Sequence, residues 1–239
     1  MIKYYADDFA YFVTTKLKAF HDGISPWCAA RRSAWQKKHN VPVDSLTYFT
    51  AHWPRFEAML KLCNDSDITP DSLSHICELG SWYPYTTYYW KSRNPKCKID
   101  LYDIIVREVS EVSEYDVDGV RLIDFNLCTE SLPDKQYDMV VVSEVLEHLP
   151  CNIFALCSDI SEIVKPGGFL LVTYPLGGIN ARDYDRVMDH RDQEHLVEEH
   201  IREFTHETAD WFFKDLNLVG SCHVEYPAYG LIKICLYQR

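Results

Sequence analysis

The fold is decided by the stretch YDMVVVSEVLEHLP, which spans residues Tyr137 to Pro150. Its first half is a nearly continuous apolar run, the pattern of a strand buried on both faces of a parallel sheet. The run ends in the polar pair Ser143-Glu144. Open parallel sheets bind ligands beyond the carboxyl ends of their strands, so we expect this pair at the ligand-binding edge.

From His75 onward, short apolar runs alternate with longer amphipathic ones, the pattern of a parallel sheet covered by helices. Strands are predicted at His75–Leu79, Lys98–Tyr102, Val120–Ile123, Tyr137–Ser143, Phe169–Tyr174, Gly220–Tyr226 and Leu231–Tyr237. Helices are predicted at Thr86–Arg93, Asn152–Val164 and Thr205–Leu216. The last two strands are closely spaced and should form an antiparallel hairpin. The sequence therefore predicts an α/β fold, with a seven-stranded, mostly parallel, doubly wound sheet that ends in an antiparallel hairpin.

The first 70 residues lack the rhythm of strands. Helical spacing is visible in Phe9–Phe20 and in Phe56–Leu62, and prolines such as Pro54 are expected to break this part of the chain. We therefore predict an N-terminal helical extension or cap over residues 1–70 and a ligand-binding domain over residues 71–239.

Composition excludes several classes of protein. The 239 residues carry a net charge of −12, divided into +4 over residues 1–63 and −16 over the rest. An acidic body argues against a broad nucleic-acid surface. The sequence has no apolar run of membrane-spanning length, and its N-terminus lacks the pattern of a signal peptide, so a cytoplasmic location and no membrane partner are predicted. The nine cysteines form no CxxC pair and are predicted to be reduced and mostly buried rather than to bind zinc.

Polar residues follow each of the first four predicted strands. Glu78 and Gly80 lie at the end of the first strand, and Asp103 follows the second. Asp124-Phe125-Asn126 follows the third strand, and Ser143-Glu144 follows the fourth. Since parallel strands end at the same edge of a sheet, these residues are expected to share one site.

The chain resembles the class I S-adenosylmethionine-dependent methyltransferases over roughly residues 70–239. The resemblance is carried by Glu78-Leu-Gly80, by the stretch 137–150, by EIVKPGGFLLVTYP at residues 162–175 and by EHIREFT at residues 199–205, in this order. A nicotinamide-binding site is disfavoured because it needs three glycines at the first turn. Here only Gly80 is present, and Pro84 offers no N–H to a phosphate.

The resemblance implies S-adenosylmethionine as the cofactor. Asp103 would accept hydrogen bonds from the two ribose hydroxyls, and Asp124 with Phe125 would hold the adenine. Asp100 is an alternative to Asp103, because the alternation of this strand leaves the register open. The implied cofactor-binding residues are Glu78, Gly80, Ser81, Trp82, Asp103, Ile104, Asp124, Phe125, Asn126, Ser143 and Glu144.

The candidate general bases are His148, His200 and Glu144. The spacing of Glu144, Glu147 and His148 predicts that they share one face of a helical turn after the fourth strand. Together with His200 they offer oxygen and nitrogen ligands suited to a divalent metal. Some methyltransferases with a similar motif bind such a metal, whereas many relatives use these residues structurally. The sequence does not favour a metal, and these four residues are the ligands if one is bound.

The methyl acceptor is expected to be a small polar metabolite or sugar, methylated on oxygen or nitrogen. This expectation rests on residues 176–202, a charged segment that matches the substrate-covering insertion of the family, and on the aromatic N-terminal part. Two alternatives stay open: a methyltransferase that acts on an RNA end or a protein, and a non-catalytic module that retains the fold. The oligomeric state does not follow from these patterns.

Overall fold

The computed structural model describes residues 45–81, 85–104, 114–117, 119–176, 202, 204–205, 207–226 and 230–239. The predicted helix at 9–20 and nearly all of the predicted insertion at 176–202 lie outside these residues. The described helices are α1 (Ser45–Asp65), α2 (Tyr85–Arg93), α3 (Ile153–Glu162) and α4 (Thr208–Phe212). The described strands are β1 (His75–Leu79), β2 (Lys98–Asp103), β3 (Glu114–Val117), β4 (Val120–Asp124), β5 (Tyr137–Ser143), β6 (Val164–Leu176), β7 (Asn217–Tyr226) and β8 (Gly230–Gln238).

The strands form one sheet in the order β3-β4-β2-β1-β5-β6-β8-β7. Strands β4, β2, β1, β5 and β6 are parallel, and β7 and β8 form the antiparallel hairpin at the C-terminal edge. The predicted α/β class, the mostly parallel sheet and the hairpin are confirmed. Strand β3 adds an antiparallel partner to β4 that the sequence did not predict, so the described residues form a sheet of eight strands.

The continuous apolar run of β5 is explained by burial on both faces. Met139 and Val141 belong to one hydrophobic cluster, which includes residues of α1 and α2. Val140 and Val142 belong to the opposite cluster, which includes residues of α3. Successive strand residues point to opposite faces, so a strand covered on both sides needs apolar residues at every position.

Helix α1 is longer than predicted, because it begins at Ser45 and continues through Pro54. A proline inside a helix costs roughly 3 kcal/mol. Burial of Phe56, Met59 and Leu60 against the sheet offsets that cost, since each is at most 3% exposed. The prediction that Pro54 breaks the helix was therefore wrong, and α1 packs into the same core as the sheet.

The described cysteines are mostly buried, as predicted. All eight described cysteines are free thiols, and five of them are buried.

None of the described helices is long and apolar enough to cross a membrane.

Candidate cofactor site

The turn after β1 requires a glycine at position 80. Gly80 has φ +69, and its N–H donates to the Tyr102 carbonyl oxygen over 2.8 Å. A Cβ at this position would lie 2.4 Å from Cγ2 of Val145, far inside van der Waals contact. Gly80 therefore serves two purposes: it adopts a left-handed conformation and lets the segment after β5 approach the turn.

Glu78 is buried beneath this turn. Its carboxylate accepts a hydrogen bond from the Thr87 hydroxyl on α2. Burial raises the pKa of the Glu78 carboxyl to about 7, and the charge of Asp103 acts in the same direction. The hydrogen bond from Thr87 and the charge of Arg55 oppose this shift. Glu78 is thus tied to α2 through Thr87.

Ser81 continues the turn with a buried hydroxyl. The residue is 2% exposed, and its Oγ has no hydrogen-bond partner within the described part of the chain. A buried hydroxyl without a partner is destabilising, so this atom is a candidate for a ligand contact. The predicted contact residue Trp82 lies outside the described residues.

The two predicted acids of the cofactor site lie on neighbouring strand ends. Asp103 and Asp124 are register partners at the carboxyl ends of β2 and β4. Asp103 is 8% exposed, and Asp124 is half-buried. Ile104 follows Asp103 directly and is half-buried. Two carboxylates side by side offer several acceptor oxygens to neighbouring hydroxyl or amino groups of a ligand.

Asp100, three residues before Asp103, lies in a different environment. Its carboxylate accepts hydrogen bonds from Arg121 over 2.8 and 2.9 Å, from Lys135 over 2.7 Å and from the Tyr137 hydroxyl over 2.9 Å. His75 Nε2 lies 3.1 Å from the same carboxylate. Asp100 is therefore engaged within the sheet, and Asp103 is the acid that stands at the end of β2.

Phe125 and Asn126 form the turn after β4. The N–H of Phe125 donates to the Asp103 carbonyl oxygen over 3.2 Å, and its ring packs edge-on against Tyr102. The Asn126 side chain accepts a hydrogen bond from the Cys128 N–H over 2.9 Å. The Phe125 N–H and the Asn126 side-chain oxygen are thus engaged within the protein, and Phe125 is 7% exposed.

Ser143 and Glu144 end β5 in a polar cluster with Thr173 of β6. The Thr173 hydroxyl lies 3.0 Å from Ser143 Oγ and donates to Glu144 Oε1 over 2.8 Å. Glu144 has φ +54, an unfavourable conformation for a residue with a side chain. Such conformations concentrate at functional sites, where the surrounding structure maintains them.

The segment after Glu144 differs from the prediction. Leu146–His148 forms a single 3₁₀ turn, and Glu144 precedes it, so Glu144, Glu147 and His148 do not share one helical face. Glu147 is fully buried, and His148 Nε2 lies 3.8 Å from its Oε1. Burial, reinforced by the charge of Glu144, raises the pKa of the Glu147 carboxyl well above its usual range. Only a regular helix that began directly after β5 would place the three side chains on one face.

The conditional metal ligands are not assembled within the described residues. No group of three or more His, Cys, Asp or Glu side chains there has the arrangement of a metal site. His200, the fourth conditional ligand and a candidate base, lies outside the described residues.

Helix α1 adds residues to this site that the sequence did not predict. Arg55 is 2% exposed, and its Nη1 lies 3.6 Å from Glu144 Oε2. The sulfur of Met59, one helical turn later, lies 3.9 Å from Thr86 Oγ1 and 4.0 Å from Ser143 Oγ. His52 precedes Arg55 by three residues, and burial together with the Arg55 charge lowers its pKa to about 4. The available signal in the sequence was Arg55, a charged residue next to the helically spaced apolar residues Phe56, Met59 and Leu60.

A family model described as a methyltransferase domain matches residues 76–222, which is more than half of the chain. The chain belongs to the methyltransferase domain family. Its sheet order and C-terminal hairpin are those of the class I S-adenosylmethionine-dependent methyltransferases. No curated protein matches the chain significantly.

Solved structures of methyltransferases share this fold at low identity. The 1,6-didemethyltoxoflavin-N1-methyltransferase of Burkholderia thailandensis superposes with a TM-score of 0.58 at 14% identity, over 89% of this chain and 88% of its own. The N-methyltransferase NodS of Bradyrhizobium japonicum WM9 gives 0.52 at 15% identity, over 80% of this chain and 97% of its own. Coclaurine N-methyltransferase gives 0.53 at 12% identity, over 76% and 69%.

Proposed function

We propose that this protein transfers a methyl group from S-adenosylmethionine to an oxygen or nitrogen atom of a small polar metabolite or sugar. The observation that carries the proposal is that Asp103 and Asp124 lie side by side, as register partners of neighbouring strands, at the edge of the sheet where the Gly80 turn lies. The family match supports S-adenosylmethionine as the methyl donor. The structure supports it through the positions of Asp103, Asp124 and Gly80.

The residues at this edge fit the chemistry of the cofactor. The Asp103 carboxylate suits two neighbouring ribose hydroxyls, because it offers two acceptor oxygens. Asp124 and the Phe125 ring suit an amino-substituted aromatic base such as adenine. Ser81 adds a buried hydroxyl that has no hydrogen-bond partner within the described residues.

When bound, S-adenosylmethionine supplies a methyl group attached to a sulfonium sulfur. The thioether that remains after transfer is a good leaving group and needs no proton. The contribution of the protein is then alignment of the acceptor and exclusion of water. Glu144 and His148 are the described candidates for removing a proton from the acceptor. Glu144 is the better placed of the two, since Thr173 fixes one carboxylate oxygen over 2.8 Å and leaves further acceptor capacity.

A small acceptor is supported by what the structural neighbours bind. The 1,6-didemethyltoxoflavin-N1-methyltransferase was solved with 1,6-didemethyltoxoflavin, and coclaurine N-methyltransferase with N-methylheliamine, in both cases together with S-adenosylhomocysteine. The acidic body of this chain, with −16 outside the first 63 residues, adds an argument against an RNA acceptor.

The test is transfer of the tritium-labelled methyl group of S-[methyl-³H]adenosylmethionine to panels of small amines, hydroxy compounds, short RNAs and proteins. We expect label in one or more small polar compounds, and none when the protein is omitted. Label confined to the RNA or protein panel would contradict the proposed acceptor class. A parallel assay with EDTA, followed by Mg²⁺, Mn²⁺ or Co²⁺, addresses the metal, and unchanged turnover is expected.

A further inference from the structure

Two thiols from different segments of the chain lie together beside the proposed cofactor edge. Cys128, in the turn after β4, and Cys151, in the segment after β5, are both half-buried. The Cys128 sulfur accepts a hydrogen bond from the Cys151 N–H, and the two thiols are hydrogen-bonded to each other. In the sheet, β4 and β5 are separated by β2 and β1, so the two segments converge across the width of these strands. Neighbouring thiols that solvent can reach are candidates for a disulfide.

Each cysteine is held in place by its own segment. The Cys128 N–H donates to Asn126 Oδ1 over 2.9 Å. The Cys151 carbonyl oxygen accepts a hydrogen bond from Arg202 Nη2, and Arg202 Nε donates to the Leu149 carbonyl oxygen over 2.8 Å. Because the backbone is fixed on both sides, the two sulfurs remain neighbours, and this proximity favours a bond between them over a bond to a more distant thiol.

The surroundings give the two sulfurs different roles. Burial raises the pKa of the Cys128 thiol, and the hydrogen bond to Cys151 adds to this shift, so Cys128 keeps its proton and donates it to the Cys151 sulfur. The hydrogen bond from Arg202 to the Cys151 carbonyl oxygen places a cation next to Cys151. Reactive cysteines lie in such electropositive, partly exposed surroundings. Cys151 is therefore the thiol that attacks an oxidant, and Cys128 is the thiol that resolves the product.

We propose that Cys128 and Cys151 form a redox-sensitive pair, which hydrogen peroxide converts to a disulfide, and that this disulfide weakens cofactor binding. The Cys151 sulfur bonds to one peroxide oxygen, the O–O bond breaks, and the thiol proton leaves with the other oxygen as water. The Cys128 sulfur then bonds to the Cys151 sulfur of the resulting sulfenic acid, the S–O bond breaks, and the Cys128 proton leaves with that oxygen as a second water. Two thiols are oxidised, and one molecule of peroxide is reduced.

The disulfide acts on the cofactor site through the turn after β4. Bond formation brings the two sulfurs to about 2.05 Å and draws this turn towards the segment after β5. Phe125 lies three residues before Cys128, and its N–H donates to the Asp103 carbonyl oxygen over 3.2 Å. A shift of the turn therefore reaches the acid that is proposed to bind the ribose. This effect on binding rests on the proposed function, whereas formation of the disulfide does not.

Tryptic mapping of the whole protein after treatment with hydrogen peroxide locates the disulfide. Trypsin places Cys128 in residues 122–135 and both Cys151 and Cys157 in residues 136–182. The oxidised protein should contain a cross-link between these two peptides, and dithiothreitol should remove it. Because Cys157 is fully buried, the cross-link should persist in Cys157→Ala and be absent from Cys151→Ser and Cys128→Ser.

Calorimetry with S-adenosylhomocysteine measures the effect on the cofactor site. The reduced protein should bind this ligand, and the oxidised protein should bind it about three- to tenfold more weakly, because the turn is displaced. Peroxide-treated Cys128→Ser should bind as the reduced protein does, and Cys128→Ala replaces this variant if it does not fold. The matched control is Cys222→Ser, which replaces a half-buried cysteine of β7 and should keep both the cross-link and the loss of affinity.

The outcomes separate this proposal from the proposed function. A reduced protein that does not bind S-adenosylhomocysteine would overturn the proposed function and, with it, the effect on cofactor binding, while the cross-link still decides the thiol pair. Absence of the cross-link, or its persistence in Cys151→Ser, would overturn the thiol pair. A complete cross-link with unchanged affinity would overturn the effect of the disulfide on the cofactor site.

Discussion

At the scale of single residues, Gly80 is the glycine of the described residues at which an added Cβ would meet the closest contact. Gly80→Ala introduces a Cβ at positive φ and places it 2.4 Å from the Val145 side chain. We expect destabilisation by about 2–4 kcal/mol, the sum of the strain at positive φ and of overpacking. Gly167→Ala is the matched control, because Gly167 has φ +78 with no atom within 4 Å of its Cβ position.

Urea unfolding measures this difference. Gly167→Ala should cost about 1–2 kcal/mol, the strain alone. Adding Val145→Ala to Gly80→Ala should recover part of the extra loss, since the clash is then removed. Equal destabilisation by the two glycine variants would contradict the role of Val145.

Glu78 gives the pH dependence of stability a defined sign. Burial raises its pKa from the ordinary value of 4.5 to about 7 in the folded protein. The folded state therefore binds the proton more tightly than the unfolded state. The stabilisation is complete below about pH 4.5 and is lost as the pH rises through about 7, with a total of about 3 kcal/mol.

The measurement is the unfolding free energy from pH 4.5 to 8, compared between the unmodified protein and Glu78→Gln. Glutamine can accept the hydrogen bond from Thr87 but does not titrate. The difference between the two proteins should move in favour of the variant as the pH rises. For Glu162→Gln, at an exposed position of α3, the unfolding free energy should depend on pH as it does in the unmodified protein. The same pH dependence for Glu78→Gln would contradict the raised pKa of the Glu78 carboxyl.

At the scale of elements, α1 is part of the core rather than an addition to it. Met59 is 1% exposed and packs in the cluster that contains Ile76 and Met139. Met59→Ala should cost about 2–5 kcal/mol through lost burial and the resulting cavity. Met59→Leu conserves volume and should cost less than about 1.5 kcal/mol. Chemical denaturation checks both values, and a loss below 1 kcal/mol for the alanine variant would contradict the packing of α1.

The elements also show which features a sequence can reveal. The apolar runs of β1, β5 and β8 are strong signals because these strands are buried along most of their length, which leaves little alternation to misinterpret. Strand β3, with the sequence EYDV, was missed because two of its four residues are acidic and its pairing with β4 is antiparallel. Helix α1 was predicted too short because the penalty at Pro54 is local, whereas the burial that offsets it comes from distant strands.

At the scale of the whole molecule, the residues after the strands were predictable from topology. The parallel order brings Gly80, Asp103 and Asp124 to one edge, and the sequence alone placed them at the strand ends. Arg55 was not predictable in the same way, since it reaches the site from a helix that precedes the first strand. The arrangement of Glu144 and Glu147 depended on a positive φ that no spacing rule anticipates.

The central claim is that this edge binds the methyl donor, and calorimetry with S-adenosylhomocysteine tests it most directly. The unmodified protein should bind this product-like ligand. Asp103→Ala should weaken binding about ten- to hundredfold, because two charge-assisted hydrogen bonds are lost, while its circular dichroism spectrum is unchanged. The control Asp159→Ala removes an exposed acid from α3 and should bind normally. Near-normal affinity of Asp103→Ala, or no binding by the unmodified protein, would contradict the account.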